Sequence, residues 1–267
     1  MANELQDRVA LVTGGGRGFG REIAKGLAAA GARVAVTARS LDQLEETVQL
    51  IEDAGGRAMA AAGDVTSKAD VAGVVEAVVK KLGPVNILVN NAGQAGPFGP
   101  IWHVDPEQWW QAQALHVLAV YLTTHVTVPV MLEHGGGRII NIASRGGIEV
   151  TPYLSAYCVG KASQIRLTEH IDAEGRDQGV RAFAIEPGTV YTDMARRTID
   201  DPEAQRWVPW MPEALKEIGK EDAAAGFARC NRMVTALASG RYDALAGRYL
   251  DVHQDLDALL REQDEEE

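Results

Sequence analysis

Short apolar runs alternate with longer amphipathic stretches along most of this chain. Residues 9–13, 33–37 and 85–89 are apolar runs of strand length, and 58–62 is a weaker, alanine-rich one. Between them, 18–31, 41–54 and 67–82 repeat apolar positions every three or four residues, the spacing of a helix buried along one side. Glycine or Gly-Pro closes each helical stretch, at Gly31, Gly55-Gly56 and Gly83-Pro84. Beyond them the pattern predicts a long helix over about 105–133, a strand at 138–142, a helix at 155–178 and a strand at 180–185. A helix at 220–239 and a last strand at 247–252 follow. Residues 193–219 break the rhythm with three prolines and two tryptophans and read as irregular.

Strands that are apolar along their whole length are covered on both faces, so the pattern predicts an α/β fold: a doubly wound parallel sheet with helices on either side. No shift in composition marks a boundary and no repeat is visible. The expectation is one domain over 1–267, with a variable loop at about 193–219 and an acidic tail at about 255–267.

Charge narrows the partners. The chain carries 26 Lys+Arg against 37 Asp+Glu, net −11, and residues 255–267 alone hold seven acids against Arg261, net −6. The other 254 residues therefore carry −5. Such a tail reads as a frayed, solvated end, repels phosphate backbones and anionic lipid, and leaves nucleic acid and membrane off the list of partners. Cys158 and Cys230 have no cysteine or histidine at ligand spacing, so no metal site is expected, and two isolated cysteines fit a reducing compartment. Residues 1–8 lack the pattern of a secretory leader, and no uninterrupted apolar run reaches ~18 residues. A cytoplasmic location is the expectation.

The glycines between the first strand and the first helix bring in chemistry. Gly14, Gly18 and Gly20, with Phe19 between the last two, form G-x3-G-x-G. Bare backbone amides at a helix N-terminus suit a pyrophosphate. By chance that pattern arises about 0.3 times in such a chain, so its place after a strand and before a helix carries the argument. At the end of the second strand an acid would select NAD by its ribose hydroxyl, whereas arginine suits a 2′-phosphate. Arg39 stands there, 21 residues after Gly18, and Arg17 lies within the loop itself. The pair favours NADP(H) if both face the cleft; NAD(H) stays open if both face solvent.

Tyr157 and Lys161 form the one Tyr-x3-Lys in the chain, on the helix predicted at 155–178. Positions i and i+4 share a face, so the ammonium can sit near the phenol and favour its ionised form. That phenol is a candidate general acid for a carbonyl oxygen, and Ser144, at the end of the fifth strand, a candidate hydrogen-bonding partner.

With these residues on the page the chain resembles the short-chain dehydrogenase/reductase family. Thr13-Gly14-x3-Gly18-x-Gly20, Asn90-Asn91-Ala92-Gly93, Ser144, Tyr157-x3-Lys161 and Pro187-Gly188 occur in that family's order and spacing over about residues 7–194. The resemblance implies a Rossmann-like sheet of about seven strands in a homodimer or homotetramer, acting on a small carbonyl or alcohol substrate. It implies Tyr157 as acid/base, Ser144 as the substrate-orienting hydroxyl, and Lys161 both lowering the tyrosine pKa and holding the nicotinamide ribose. It also implies adenine contacts from Asp64-Val65, a cleft lining from Asn90 to Gly93, and cofactor contacts from Pro187, Gly188, Val190 and Thr192, the last to the carboxamide.

Two stretches depart from that pattern. Leu115-His116-Val117-Leu118-Ala119 puts His116 where the family has an asparagine that holds a helix kink and a water leading from the lysine to solvent. His116 either keeps that relay, and with it a pH response, or is an interior histidine. After the last strand the family's Asp-Gly-Gly is replaced by Asp251-Val252-His253, followed by a stretch that reads as a short terminal helix covering a subunit interface or a neighbour's pocket.

Met194, Trp207, Trp210 and Met211 suit a bulky apolar substrate or simply pack, and Trp109-Trp110 reads as helix packing or interface. Arg145 either meets a substrate carboxylate or faces solvent. The intact glycine loop and Lys161 argue against the family's non-redox branch, and the retained Tyr157 and Lys161 argue against a nucleotide sensor without turnover.

Overall fold

The computed structural model describes residues 4–220 and 222–266; the first three residues, where a leader would begin, and Glu267 of the tail lie outside them. Seven parallel strands form one sheet in the order β3-β2-β1-β4-β5-β6-β7. They are β1 (Val9–Thr13), β2 (Arg33–Ala38), β3 (Arg57–Ala62), β4 (Ile87–Asn90), β5 (Gly137–Ile142), β6 (Val180–Glu186) and β7 (Tyr249–Asp251). The helices of the first half are α1 (Gly18–Ala29), α2 (Leu41–Asp53), α3 (Lys68–Leu82), α4 (Pro106–Gln113) and α5 (Ala119–Glu133), the last two joined by a π turn at Ala114–Leu118. Those of the second half are α6 (Ser155–Gly175), α7 (Asp193–Asp200), α8 (Pro202–Trp207), α9 (Trp210–Ile218), α10 (Ala223–Ser239) and α11 (Leu256–Glu266).

Period two sorts each strand between two cores. Ala10, Val12, Val34, Val36, Ile140 and Phe183 join one with residues of α1, α2 and α10. Val9, Leu11, Ala35, Ile139 and Ala182 join the other with residues of α3 and α5. This is the two-sided burial that the continuous apolar runs predict. β1 pairs with β2 on one side and β4 on the other, so the chain changes direction of travel across the sheet there, and a crevice opens at the strands' carboxyl ends.

Two sequence-based expectations need correction. Residues 193–219 are not irregular: Thr192 caps α7, and Asp201 caps α8 through bonds to the amides of Glu203 (2.8 Å) and Ala204 (3.1 Å). The prolines at 202, 209 and 212 sit at or near helix starts, where a missing N–H costs nothing. The acidic tail is not simply frayed either. Asp255 caps α11, and Leu256, only 8% exposed, packs into the first core of its own chain. The helix Pro106–Glu133 is long and apolar enough to cross a membrane, with a mean hydropathy of 1.6 over 18 residues, although polar residues interrupt it. In the fold Leu122, Thr127 and Met131 on it are buried, and 39% of that window is buried in all.

Candidate active site

At the crevice, β1 runs out at Thr13 and the chain turns through glycines into α1. Gly14 (φ +65°) and Gly18 (φ +54°) occupy backbone that side chains avoid. A Cβ on Gly20 would lie 2.2 Å from the Gly14 carbonyl oxygen. The loop is anchored from three sides. The amides of Gly14 and Gly15 donate to the Thr37 oxygen (2.8 and 3.3 Å), and Asn91 Nδ2 donates to those of Thr13 (2.8 Å) and Gly14 (3.3 Å). Thr13 Oγ1 accepts from the amides of Asn91 (3.0 Å) and Ala92 (3.1 Å). Arg17, the residue before α1, makes no capping bond, and the first turn holds no acid, so its amides are left for an external anion. The bare, uncapped turn fits the pyrophosphate of a dinucleotide.

The residues expected around that group divide. Arg39 is exposed at the end of β2 and makes no hydrogen bond or ion pair with the described residues. Arg17 is not free: its Nη1 pairs with Asp193 Oδ2 at 3.0 Å, joining the glycine loop to α7. The Phe19 ring packs edge-on against Phe227 (5.2 Å between centroids), which leaves only its main chain toward the crevice. The Asn90 side chain does not line the cleft, because consecutive strand residues point to opposite faces. It is buried, donates to Asn141 Oδ1 (2.8 Å) and accepts from Thr123 Oγ1 (2.7 Å). Asp64 holds its own turn, accepting from Thr66 N (2.9 Å) and Oγ1 (2.7 Å), while Val65 packs with Val71 and Leu122. After β6, Pro187 and Gly188 (φ +77°) turn the chain toward the crevice, and Val190 is buried. Thr192 reaches the glycine loop, its Cγ2 3.7 Å from where a Cβ on Gly18 would lie.

Ser144, Tyr157 and Lys161 meet at the same end of the sheet. Ser144 opens a single 3-10 turn, Arg145–Gly147, and its Oγ accepts from the Gly146 amide (3.2 Å) and neighbours the Tyr157 phenol. That turn lies against α6 because Gly146 and Gly147 carry no side chain: a Cβ on Gly147 would be 2.8 Å from Lys161 C. Glu186, at the end of β6, accepts from the Arg145 amide and fixes the turn from below. Lys161 Nζ lies 5.7 Å from the Tyr157 ring centroid, donating to the Ile142 carbonyl and to Gln164 Oε1 (3.1 Å).

The expected lowering of the Tyr157 pKa does not appear in the chain by itself. Burial pushes the phenol up to about 12, against the nearby Ser144 hydroxyl, which lowers it. Burial likewise draws Lys161 down to about 7, partly offset by Glu186. Desolvation outweighs the i,i+4 proximity, and the ammonium is directed at two oxygens other than the phenol's.

His116 lies in the π turn and is fully buried. Its ring meets Tyr157 edge-on at 5.5 Å, and its Nε2 lies 2.8 Å from the Gln94 oxygen. A carbonyl only accepts, so Nε2 carries the proton and Nδ1, which has no partner, holds the lone pair. Burial first, then Lys161, lowers the imidazole to about 3. It is neutral at ordinary pH and cannot lend the reaction a histidine-like pH response, so the interior reading is the one the structure supports.

Residues outside the motifs also shape the site. Gln164 and Glu186 were not singled out from the sequence; their signal was a polar residue amid buried positions, at Lys161+3 and just before Pro187. Tyr157 and Met211 pack against a buried cluster of Phe98, Leu154, Ala204 and Val208, and the Tyr153 ring packs on Trp207 (5.3 Å). Tyr153 adopts φ +67° there, and its carbonyl accepts from the Gly99 amide (2.9 Å). Trp109 donates to Ser155 Oγ (3.1 Å), whereas Trp110 is 69% exposed. Arg145 pairs with Asp251 at 3.4 Å.

A doubly wound sheet with a glycine cradle at its switch point and a Ser, Tyr and Lys converging beside it defines a dinucleotide-binding α/β protein. The sequence profile of the short-chain dehydrogenases matches residues 8–203. A short-chain dehydrogenase of Pseudocercospora fijiensis is 33% identical over 98% of this chain and 85% of its own length. The 2-(S)-hydroxypropyl-CoM dehydrogenase 3 of Xanthobacter autotrophicus is 34% identical over 71% of this chain and 74% of its own. A crystal structure of a short-chain type dehydrogenase/reductase from Mycobacterium marinum superposes with a TM-score of 0.78 at 27% identity, covering 92% of this chain and 94% of that one. The chain belongs to the short-chain dehydrogenase family, oxidoreductases that use NAD(P).

Proposed function

We propose that this protein is an NADP(H)-dependent oxidoreductase that interconverts a ketone or aldehyde with the corresponding alcohol, with Tyr157 as the general acid and base. One observation carries the reading: Ser144, Tyr157 and Lys161 stand at the same end of the sheet beside the glycine cradle, and the two hydroxyls offer a two-donor seat for a carbonyl oxygen. When bound, the dinucleotide supplies or accepts the hydride. Tyr157 Oη gives its proton to the substrate oxygen during reduction and takes it back during oxidation, while Ser144 orients that oxygen. Gly14, Gly18 and the first turn of α1 would hold the pyrophosphate, and Arg39 the 2′-phosphate, no carboxylate standing beside it until Asp42.

An uncharged, mainly apolar substrate suits the surroundings. Tyr157 packs against the apolar cluster of Phe98, Leu154 and Val208, and Arg145 is already engaged by Asp251 rather than free for a substrate carboxylate. The similarity to a hydroxypropyl-CoM dehydrogenase supports alcohol-carbonyl chemistry. We further propose a homodimer or homotetramer in the cytoplasm. The test begins with dissociation constants for NADPH and NADH on the purified protein, read by cofactor fluorescence. NADPH tighter by about tenfold is the expected result, ~1.4 kcal/mol of phosphate recognition, lost in Arg39→Ala. Equal binding would return the reading to NAD. In a ketone screen with the preferred cofactor, Tyr157→Phe should lose at least ~100-fold in kcat; full activity would remove the tyrosine from its role.

A further inference from the structure

The ammonium of Lys161 is held by a side chain that belongs to none of the motifs. Gln164 follows it by one turn of α6 and is fully buried. Its Oε1 accepts from Lys161 Nζ (3.1 Å), and its Nε2 donates to the main-chain oxygen of His116 (3.0 Å). That carbonyl lies in the π turn, where the wider helical repeat shifts the bonding pattern and leaves an oxygen to be claimed from outside. The amide cannot be reversed: the His116 oxygen requires a donor and the ammonium an acceptor, so each fixes the orientation of the other.

We propose that Gln164 is a positioning residue of the site, its amide tying the Lys161 ammonium directly to the helix that carries His116. The inference rests on the oxidoreductase reading proposed above, with Lys161 at the nicotinamide ribose as the family resemblance implies. A neutral amide has no proton to pass on at ordinary pH, so the tie closes the inner side of Lys161 to proton traffic. With the Ile142 carbonyl and Gln164 taking two of its three N–H groups, one remains for the cleft. Protons consumed by the reaction therefore re-enter from the cleft side. Around the ammonium stand Tyr157 on the same helix, neutral His116 from the π turn and Glu186 from β6.

The titration of Lys161 in the free protein, followed by proton–carbon NMR of 13Cε-labelled lysine and assigned with Lys161→Arg, tests the tie without cofactor or substrate. Removing the acceptor in Gln164→Met should lower the midpoint by about one pH unit, and a carboxylate in Gln164→Glu should raise it by at least as much. A residue that only fills space would change the melting temperature and leave the midpoint alone. Unmoved midpoints in both variants overturn the proposal; if Gln164→Met does not fold, the Gln164→Glu midpoint decides. NADPH binding on the same samples separates the two readings. Wild-type protein that binds no NADPH defeats the proposed function while the midpoint shifts still stand or fall by themselves.

Discussion

At the residue scale His116 shows how burial decides chemistry. An imidazole lowered from 6.5 to about 3 takes up no proton in the folded chain over a range where the unfolded chain does. Stability from this residue is therefore complete above pH 6.5 and is lost as pH falls toward 3. His116→Asn should flatten the fall in melting temperature between pH 6 and 4, while the pH–rate profile above pH 6 stays as in the wild type. A profile displaced above pH 6 would mean that the ring does titrate in the working enzyme. Lys161 has the same sign in another window: lowered from 10.5 to about 7, it makes the fold gain stability as pH rises between those values.

At the scale of elements, the segment over the active site is organised by its caps. Asp201 ends α7 and starts α8, and α8 supplies Ala204 to the cluster that Tyr157 packs against. Asp201→Ala should cost about 1 kcal/mol in urea unfolding and expose 200–210 to proteases. Unchanged stability and cleavage would show that packing, not capping, holds the segment. The ion pair between Arg17 and Asp193 works at the same scale, joining the glycine loop to α7 across the crevice. Both side chains are about two-fifths exposed, so its contribution to stability is small, and it bears on how the two segments meet.

For the whole molecule, the C-terminal helix is part of the fold. Leu256 is buried in the core formed by α1, α2, α10 and one face of the sheet, and Tyr242 donates to Asp257 (2.8 Å). Leu256→Ala should destabilise the protein by about 2–4 kcal/mol in equilibrium unfolding. A loss under about 0.5 kcal/mol would place the helix outside the cooperative unit.

The sequence by itself determined the α/β class, the strand and helix order through β6, the glycine cradle and the shared helix face of Tyr157 and Lys161. Each of these is local: a periodicity, a turn that admits only glycine, or two positions one helical turn apart. What only the tertiary structure decided depends on contacts between distant segments. Capping bonds turned 193–219 into helices, and Asp193 claimed Arg17 across 176 residues. Asn90 joined a buried network rather than the cleft, because strand pairing set its face. The protonation of Tyr157, Lys161 and His116 was decided there too. Spacing shows which charges lie close, but the cost of removing them from water depends on everything packed around them.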